Sequence, residues 1–258
     1  MTNFFKKATN TFAGVALALG VCATAGAGEF TFVTPGSSGP GVKYDYVTVS
    51  SSELLTNTAT GHTADNGWIR FTTFESSTND TFFPSDAGFG IYALFTLADV
   101  FNPSTGKNNL TALTFDLYYD AGKNNTYTKA GFNTTTQTGI KASVSSADVD
   151  QLIGSGSLIA GTSQFLDFGG AALNAATTFS LSTFGKTVFT APDPFFTAAF
   201  EAFNNALGGA VINADGTISV SAGGTVTFAN PVPEPTSIAL LGLGLMGMGV
   251  AARRRRKN

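Results

Sequence analysis

Residues 28–230 of this 258-residue chain predict an all-β fold, mainly an antiparallel β-sandwich or barrel-like arrangement, with one short helix near 194–207. Three observations carry that expectation. Apolar and polar residues alternate at period two through the middle of the chain. The alternating runs are short and are broken by turn residues. Charged residues are only 12% of the sequence, polar character coming instead from Ser, Thr and Asn. Several short amphipathic strands need a second layer over their apolar faces, which a sandwich or a closed barrel supplies. An N-terminal signal helix in 1–27 and a C-terminal transmembrane helix in 231–258 are expected to flank this β-rich extracytoplasmic domain.

At the N-terminus, Lys6 and Lys7 precede the apolar run from Phe12 to Ala23, and small residues follow at Ala25 and Ala27. This order is a secretory signal, with cleavage after Ala25 or Ala27. Cys22, the one cysteine of the chain, lies inside it, so the mature protein is left without a thiol for a disulfide or a metal. A lipid anchor through Cys22 is the alternative, opposed by the bulky Val21 before it.

The strands come next. Val47 with Val49, Ile69 with Phe71, and Ile91, Ala93, Phe95 and Leu97 each repeat an apolar face. Leu113, Phe115, Leu117 and Tyr119 share another, with Thr114, Asp116, Tyr118 and Asp120 on the opposite side. Phe179 with Leu181 continues the pattern. Asp193-Pro194 then reads as an N-cap and first turn, followed by Phe196, Phe200, Phe203 and Leu207 at helical spacing and by Gly208 as a stop. Gly216–Val220 and Thr225–Phe228 read as a hairpin turning through Ala222-Gly223-Gly224.

The charge pattern excludes one class of partner. Between residues 28 and 230 the cations are Lys43, Arg70, Lys107, Lys123, Lys129, Lys141 and Lys186, outnumbered by carboxylates. No basic stripe exists to neutralise phosphates, so nucleic acid is not an expected partner. Catalytic chemistry is equally poorly served. His62 is the only histidine, in a segment that reads as a surface loop, and no nucleophile elbow accompanies it. The carboxylate pairs Asp116/Asp120 and Asp148/Asp150 read as outward-facing charge, leaving glycan hydrolysis as the weakest functional reading. Asp120, Asn124 and Asn125 around Gly122 offer oxygen ligands for calcium, but their spacing does not match an EF-hand loop. No catalytic residue, no metal ligand and no cofactor is therefore assigned, and the chain is not expected to be an enzyme. Sugar contact needs exposed aromatic faces, and Tyr118 and Trp68 are the candidates. Tyr118 has polar neighbours on its face, while Trp68 also suits the core.

The C-terminus has three parts in order. Pro231 to Thr236 cannot continue a strand ladder and forms a linker. Ser237 to Ala252 is apolar and spans about 24 Å as a helix at roughly 1.5 Å per residue, against a hydrocarbon core of about 30 Å. Arg253, Arg254, Arg255, Arg256 and Lys257 then hold the tail on the cytoplasmic side, placing everything before Pro231 across the membrane. Gly242, Gly244 and Gly247 spell a dinucleotide-type glycine pattern, but no βαβ unit follows them.

Pro233-Glu234-Pro235, the Gly- and Leu-rich span and the terminal arginine cluster together resemble the PEP-CTERM sorting signal. The resemblance implies that an exosortase, a membrane-embedded transpeptidase-like enzyme, is a partner and recognises Pro233, Glu234 and Pro235. It also implies a brief stay in the cytoplasmic membrane through the C-terminal helix, followed by release to the cell surface or matrix. Within the β domain, Gly88–Phe95, Leu113–Tyr119, Leu152–Gly156 and Asp193–Phe196 resemble the flocculation-associated PEP-CTERM proteins of the PepA type. That resemblance implies a non-catalytic protein supporting exopolysaccharide-associated cell aggregation. An exopolysaccharide-binding module is the alternative expectation.

Overall fold

The computed structural model describes residues 28–76, 81–166, 170–205 and 209–230. The expected signal helix and transmembrane helix lie outside the described residues, among which no helix is long and apolar enough to cross a membrane.

In chain order the first strands are β1 (Phe30–Phe32), β2 (Val42–Tyr44), β3 (Tyr46–Asn57), β4 (Gly61–Glu75), β5 (Thr81–Phe82), β6 (Gly90–Asn102) and β7 (Lys107–Asp120). Four short strands follow, β8 (Thr126–Thr128), β9 (Gly131–Asn133), β10 (Thr138–Ile140) and β11 (Ser143–Ser145). Then come β12 (Gln151–Leu166), β13 (Gly170–Thr178), β14 (Ser180–Leu181), the single-turn helix α1 (Gly185–Val188) and β15 (Phe189–Ala191). The chain closes with β16 (Ala198–Asn205), β17 (Ala210–Ile212) and β18 (Ile218–Ala229).

The expected choice between sandwich and barrel resolves as a barrel. Eight long strands pair antiparallel in the ring β3-β4-β6-β7-β12-β13-β16-β18, and β18 pairs back onto β3 from Ile218↔Leu55 to Val226↔Val47. Each ring strand neighbours the ring strand before it in chain order, and closure leaves no free edge in the ring. Period-two alternation does the inward sorting. Val47, Val49, Ile91, Ala93, Phe95, Leu97, Leu113, Leu117 and Tyr119 fall in one buried core, the residues that alternation placed on the apolar faces.

One end of the barrel is closed by aromatics. β1 lies between β2 and β15 in a separate three-stranded sheet that delivers Phe30, Phe32, Tyr44 and Phe189 onto Phe74 and Phe228. Phe30 meets Phe228 edge-on at 5.3 Å, and Phe32 lies 4.6 Å from Phe74. Tilted and edge-on pairs of this kind suit the ring quadrupole, and each fully buried Phe stabilises the fold by about 1.5–3 kcal/mol. The opposite end carries the β3–β4 and β6–β7 turns.

A long connection, residues 121–150, runs between β7 and β12 as a strap over the outer wall. Trp68 Nε1 donates to the Thr128 carbonyl at 2.9 Å, and the Ala130 N–H donates to Ser52 Oγ at 3.0 Å. The Gly139 N–H donates to Asp215 Oδ2 at 2.6 Å.

Three expectations are corrected. The helix near 194–207 is absent among the described residues: Ala198–Asn205 is the barrel strand β16, paired to β13 on one side and β18 on the other. Two neighbouring ladders override a helical spacing of phenylalanines, and Ala199, Glu201 and Phe203 point inward at period two. The Ala222-Gly223-Gly224 hairpin is also absent, because these residues lie inside the continuous strand β18. A Cβ on Gly224 would stand 2.3 Å from the Ala202 carbonyl oxygen, so the glycine serves close strand approach. The turn lies earlier, at Asn213–Thr217, where Gly216 takes φ +82°. Finally, His62 is not a solvated loop residue. It is the second residue of β4, is largely covered, and lies against Asp99.

Candidate functional site

On the outer wall, the strap draws together carboxylates that are far apart in sequence. Asp120 ends β7, and the loop after it folds back so that the Asn124 and Asn125 N–H groups donate to Asp120 Oδ1 and Oδ2 at 3.2 and 3.3 Å. Asp120 is consequently only 1% exposed, so the outward-facing charge expected of it is covered by the strap, while Asp116 stays exposed. Asp148 accepts from Asn124 Nδ2 at 3.0 Å, and Asp150 accepts from Asn125 Nδ2 at 2.8 Å and from the Tyr92 hydroxyl at 2.7 Å. One carboxylate oxygen from each of Asp120, Asp148 and Asp150 lies within 4.8 Å of the others. Asn125 Oδ1 and Asp150 Oδ1 are buried without a hydrogen-bond partner. These oxygens are the groups of the described residues that could hold a hard cation such as calcium, in place of the Asp120–Asn124–Asn125 loop alone.

The two aromatic candidates separate here. Trp68 is 4% exposed, its indole held under the strap and edge-on to Tyr127 at 5.3 Å, so its ring does not face solvent. Tyr118 stays half-buried, stacked on Tyr92 at 5.4 Å, with burial and then the neighbouring Asp116 holding its hydroxyl above the ordinary phenol range. Burial also pushes the Tyr127 hydroxyl up to about 12, although the Arg70 guanidinium 5.2 Å from the ring opposes it. Pro233, Glu234 and Pro235 and the cluster Arg253 to Lys257 lie outside the described residues.

Inside the barrel is a constellation the sequence did not disclose. Glu53 on β3 and Glu201 on β16 line an apolar cavity together with Leu55, Leu97, Leu113 and Phe203. Its roughly 50 Å³ admits a few waters. Glu53 is half-buried as a residue, but it lines this cavity and its Oε2 is buried without a hydrogen-bond partner. Burial and then the nearby Asp99 push the Glu53 carboxyl up to about 7. Burial pushes Glu201 up to about 8, against a 3.1 Å hydrogen bond from Thr177.

Asp99 itself stands toward the end that carries the β3–β4 and β6–β7 turns. Its Oδ1 accepts from the His62 backbone N–H at 2.8 Å and lies 2.9 Å from His62 Nδ1, while Ser163 Oγ donates to Oδ2 at 2.6 Å. Burial alone would raise this carboxyl, but the hydrogen bonds from His62 and Ser163 outweigh it and hold Asp99 below the usual carboxylate range. The serine addresses the aspartate, not the imidazole, so the three do not form the Ser–His–Asp relay of acyl transfer. Extending the β3 alternation Val47, Val49, Ser51 to Glu53 would have placed that glutamate inside. Glu201 was hidden by the helical reading of its segment.

Residues 231–256 match the PEP-CTERM protein-sorting motif. This motif implies exosortase processing of an exported protein at the membrane. No curated protein and no solved structure matches the chain.

Proposed function

We propose that the protein is a non-catalytic surface or extracellular-matrix protein that supports exopolysaccharide-associated cell aggregation. The observation that carries this reading is the sorting motif at 231–256, which begins one residue after β18 ends at Ala229. A closed barrel delivered across the membrane and released by an exosortase suits a robust body in the matrix, since it offers no free edge in its ring for uncontrolled strand addition. The non-catalytic part rests on the carboxylates. Asp120 and Asp150 are tied to amides and a phenol, and Asp116 is exposed on β7.

Removal of Pro233–Asn258 tests the reading. Cells carrying that deletion are expected to lose surface retention of the protein and to settle as dispersed cells. Unchanged display together with unchanged flocculation would sink it. An exopolysaccharide-binding module is the second reading, favoured by the aromatic and amide side chains that remain at the surface. A glycan hydrolase would be revived only by polysaccharide depolymerisation that Asp116→Asn or Asp148→Asn abolishes.

A further inference from the structure

At the end of the barrel that carries the β3–β4 and β6–β7 turns the rim is not flat. A groove of about 620 Å³ runs across the starts and ends of β4, β6, β7 and β12, walled by Phe101, Phe165, Asn57, Asn108, Gln164 and His62. That volume lies inside the range of small-ligand clefts, about 300–1,000 Å³. Phe101 is 53% exposed and Phe165 42% exposed, and Val100 beside them is also exposed. Three large apolar side chains gathered along one groove form the kind of exposed patch at which proteins meet a ligand or partner.

The remaining wall says what kind of molecule fits. Asn57, Asn108 and Gln164 bring amides, and Thr58 and Thr60 bring hydroxyls. Asn108 is itself 5% exposed, and its Nδ2 donates to Ser163 Oγ at 3.4 Å, so this amide is a fixed element of the floor. Phe165 is held edge-on to the His62 ring at 5.1 Å, and His62 is held against Asp99. No lysine, arginine or free carboxylate lines the groove among the described residues. Flat apolar rings beside amides and hydroxyls match the two faces of a sugar, whose C–H face packs on an aromatic and whose hydroxyl edge needs donors and acceptors. Among the described residues an anionic sugar would find no lysine or arginine here, and a peptide would find no free strand edge in the ring.

We infer that this rim groove binds a short stretch of uncharged polysaccharide, with Phe101 and Phe165 as stacking platforms and Asn57, Asn108 and Gln164 as hydroxyl partners. The inference deepens the aggregation reading by giving it a surface and a ligand class, and it rests on that reading for the source of the glycan.

The test uses the full chain in detergent and the producing cells' own exopolysaccharide, split by anion exchange into neutral and acidic fractions. Affinity electrophoresis is expected to show retardation by the neutral fraction, weakened about tenfold by Phe101→Ala and further by adding Gln164→Ala, with melting temperatures held. Tyr118→Ala should bind as the wild type does. Retardation by the acidic fraction alone, by neither fraction, or by the neutral fraction undiminished in the Phe101→Ala, Gln164→Ala variant would overturn the groove. Loss of flocculation on deleting the C-terminal tail, with any of those three results, would leave the aggregation reading standing and remove only this site.

Discussion

A carboxyl group in an apolar lumen is an acid whose charge the fold resists, and this barrel carries two. Glu53 and Glu201 share the cavity with Asp99 and with no cation among its lining residues. Both glutamates start from an ordinary value of 4.5, and the folded barrel holds Glu53 up at about 7 and Glu201 at about 8. Between the unfolded and folded values the folded chain binds more protons than the unfolded one, so stability must fall as pH rises through that window. The contribution is fully present below about pH 4.5 and is lost by about pH 8. Asp99 has the opposite sign: its lowered value contributes stability that disappears only as acid protonates it. Urea melts at a series of pH values should therefore show a decline between about pH 5 and pH 8 worth a few kcal/mol, since each tenfold change in a group's proton affinity corresponds to about 1.4 kcal/mol. Glu53→Gln should flatten part of that slope and raise stability at pH 8. A variant with the wild-type slope would mean that the Glu53 charge is solvated in the folded barrel.

At the scale of single elements, the strap shows how much a few polar anchors must do. Residues 121–150 contribute only short two-stranded ladders of their own, β8 with β11 and β9 with β10, and such pairs are marginal alone. Ser52 is completely buried where the strap crosses β3, donating to the Val220 carbonyl at 3.0 Å and accepting from the Ala130 N–H. Ser52→Ala leaves that part-buried N–H without its acceptor, at a cost of up to about 1–3 kcal/mol. The expected outcome is faster hydrogen exchange at Ala130 and its strap neighbours while the β6–β7 ladder keeps its protection; a uniform rise across the barrel would show that the strap is not a separate unit. The strands beneath it were the legible part of the sequence. β6 and β7 face a lumen on one side and solvent on the other, and that difference is written in period two. Elements serving a different constraint were misread: β16 hides its alternation because Glu201 is polar and inside, and the segment at Gly224 looks like a turn because close strand packing and turning both select glycine. The interior site was illegible for a related reason, since Asp99 meets His62 and Ser163 across 37 and 64 residues of chain. Only the sorting motif, whose parts are contiguous, could be read without the fold.

For the molecule as a whole, the decisive contact joins the two ends of the folded domain. β18 runs nine paired positions along β3, from Ile218↔Leu55 to Val226↔Val47, and also pairs with β16, so the last strand converts an open sheet into a ring. Gly28 N–H donates to the Phe228 carbonyl at 2.9 Å, and Thr197 N–H donates to Asn230 Oδ1 at 3.3 Å, so the fold uses the chain up to residue 230 and pins its start beside its finish. Processing within the sorting motif, which begins at residue 231, therefore spares every strand of the ring. A polypeptide of residues 28–230 should melt cooperatively within a few degrees of the full chain, whereas residues 28–213, lacking β18, should expose the edges of β3 and β16 and aggregate. Circular dichroism melts and size-exclusion profiles of the two fragments decide the matter. Should 28–213 stay monomeric and fully folded, closure would not be what holds the barrel; should 28–230 fail to fold, residues beyond Asn230 would belong to the folded body and exosortase processing would have to leave them attached.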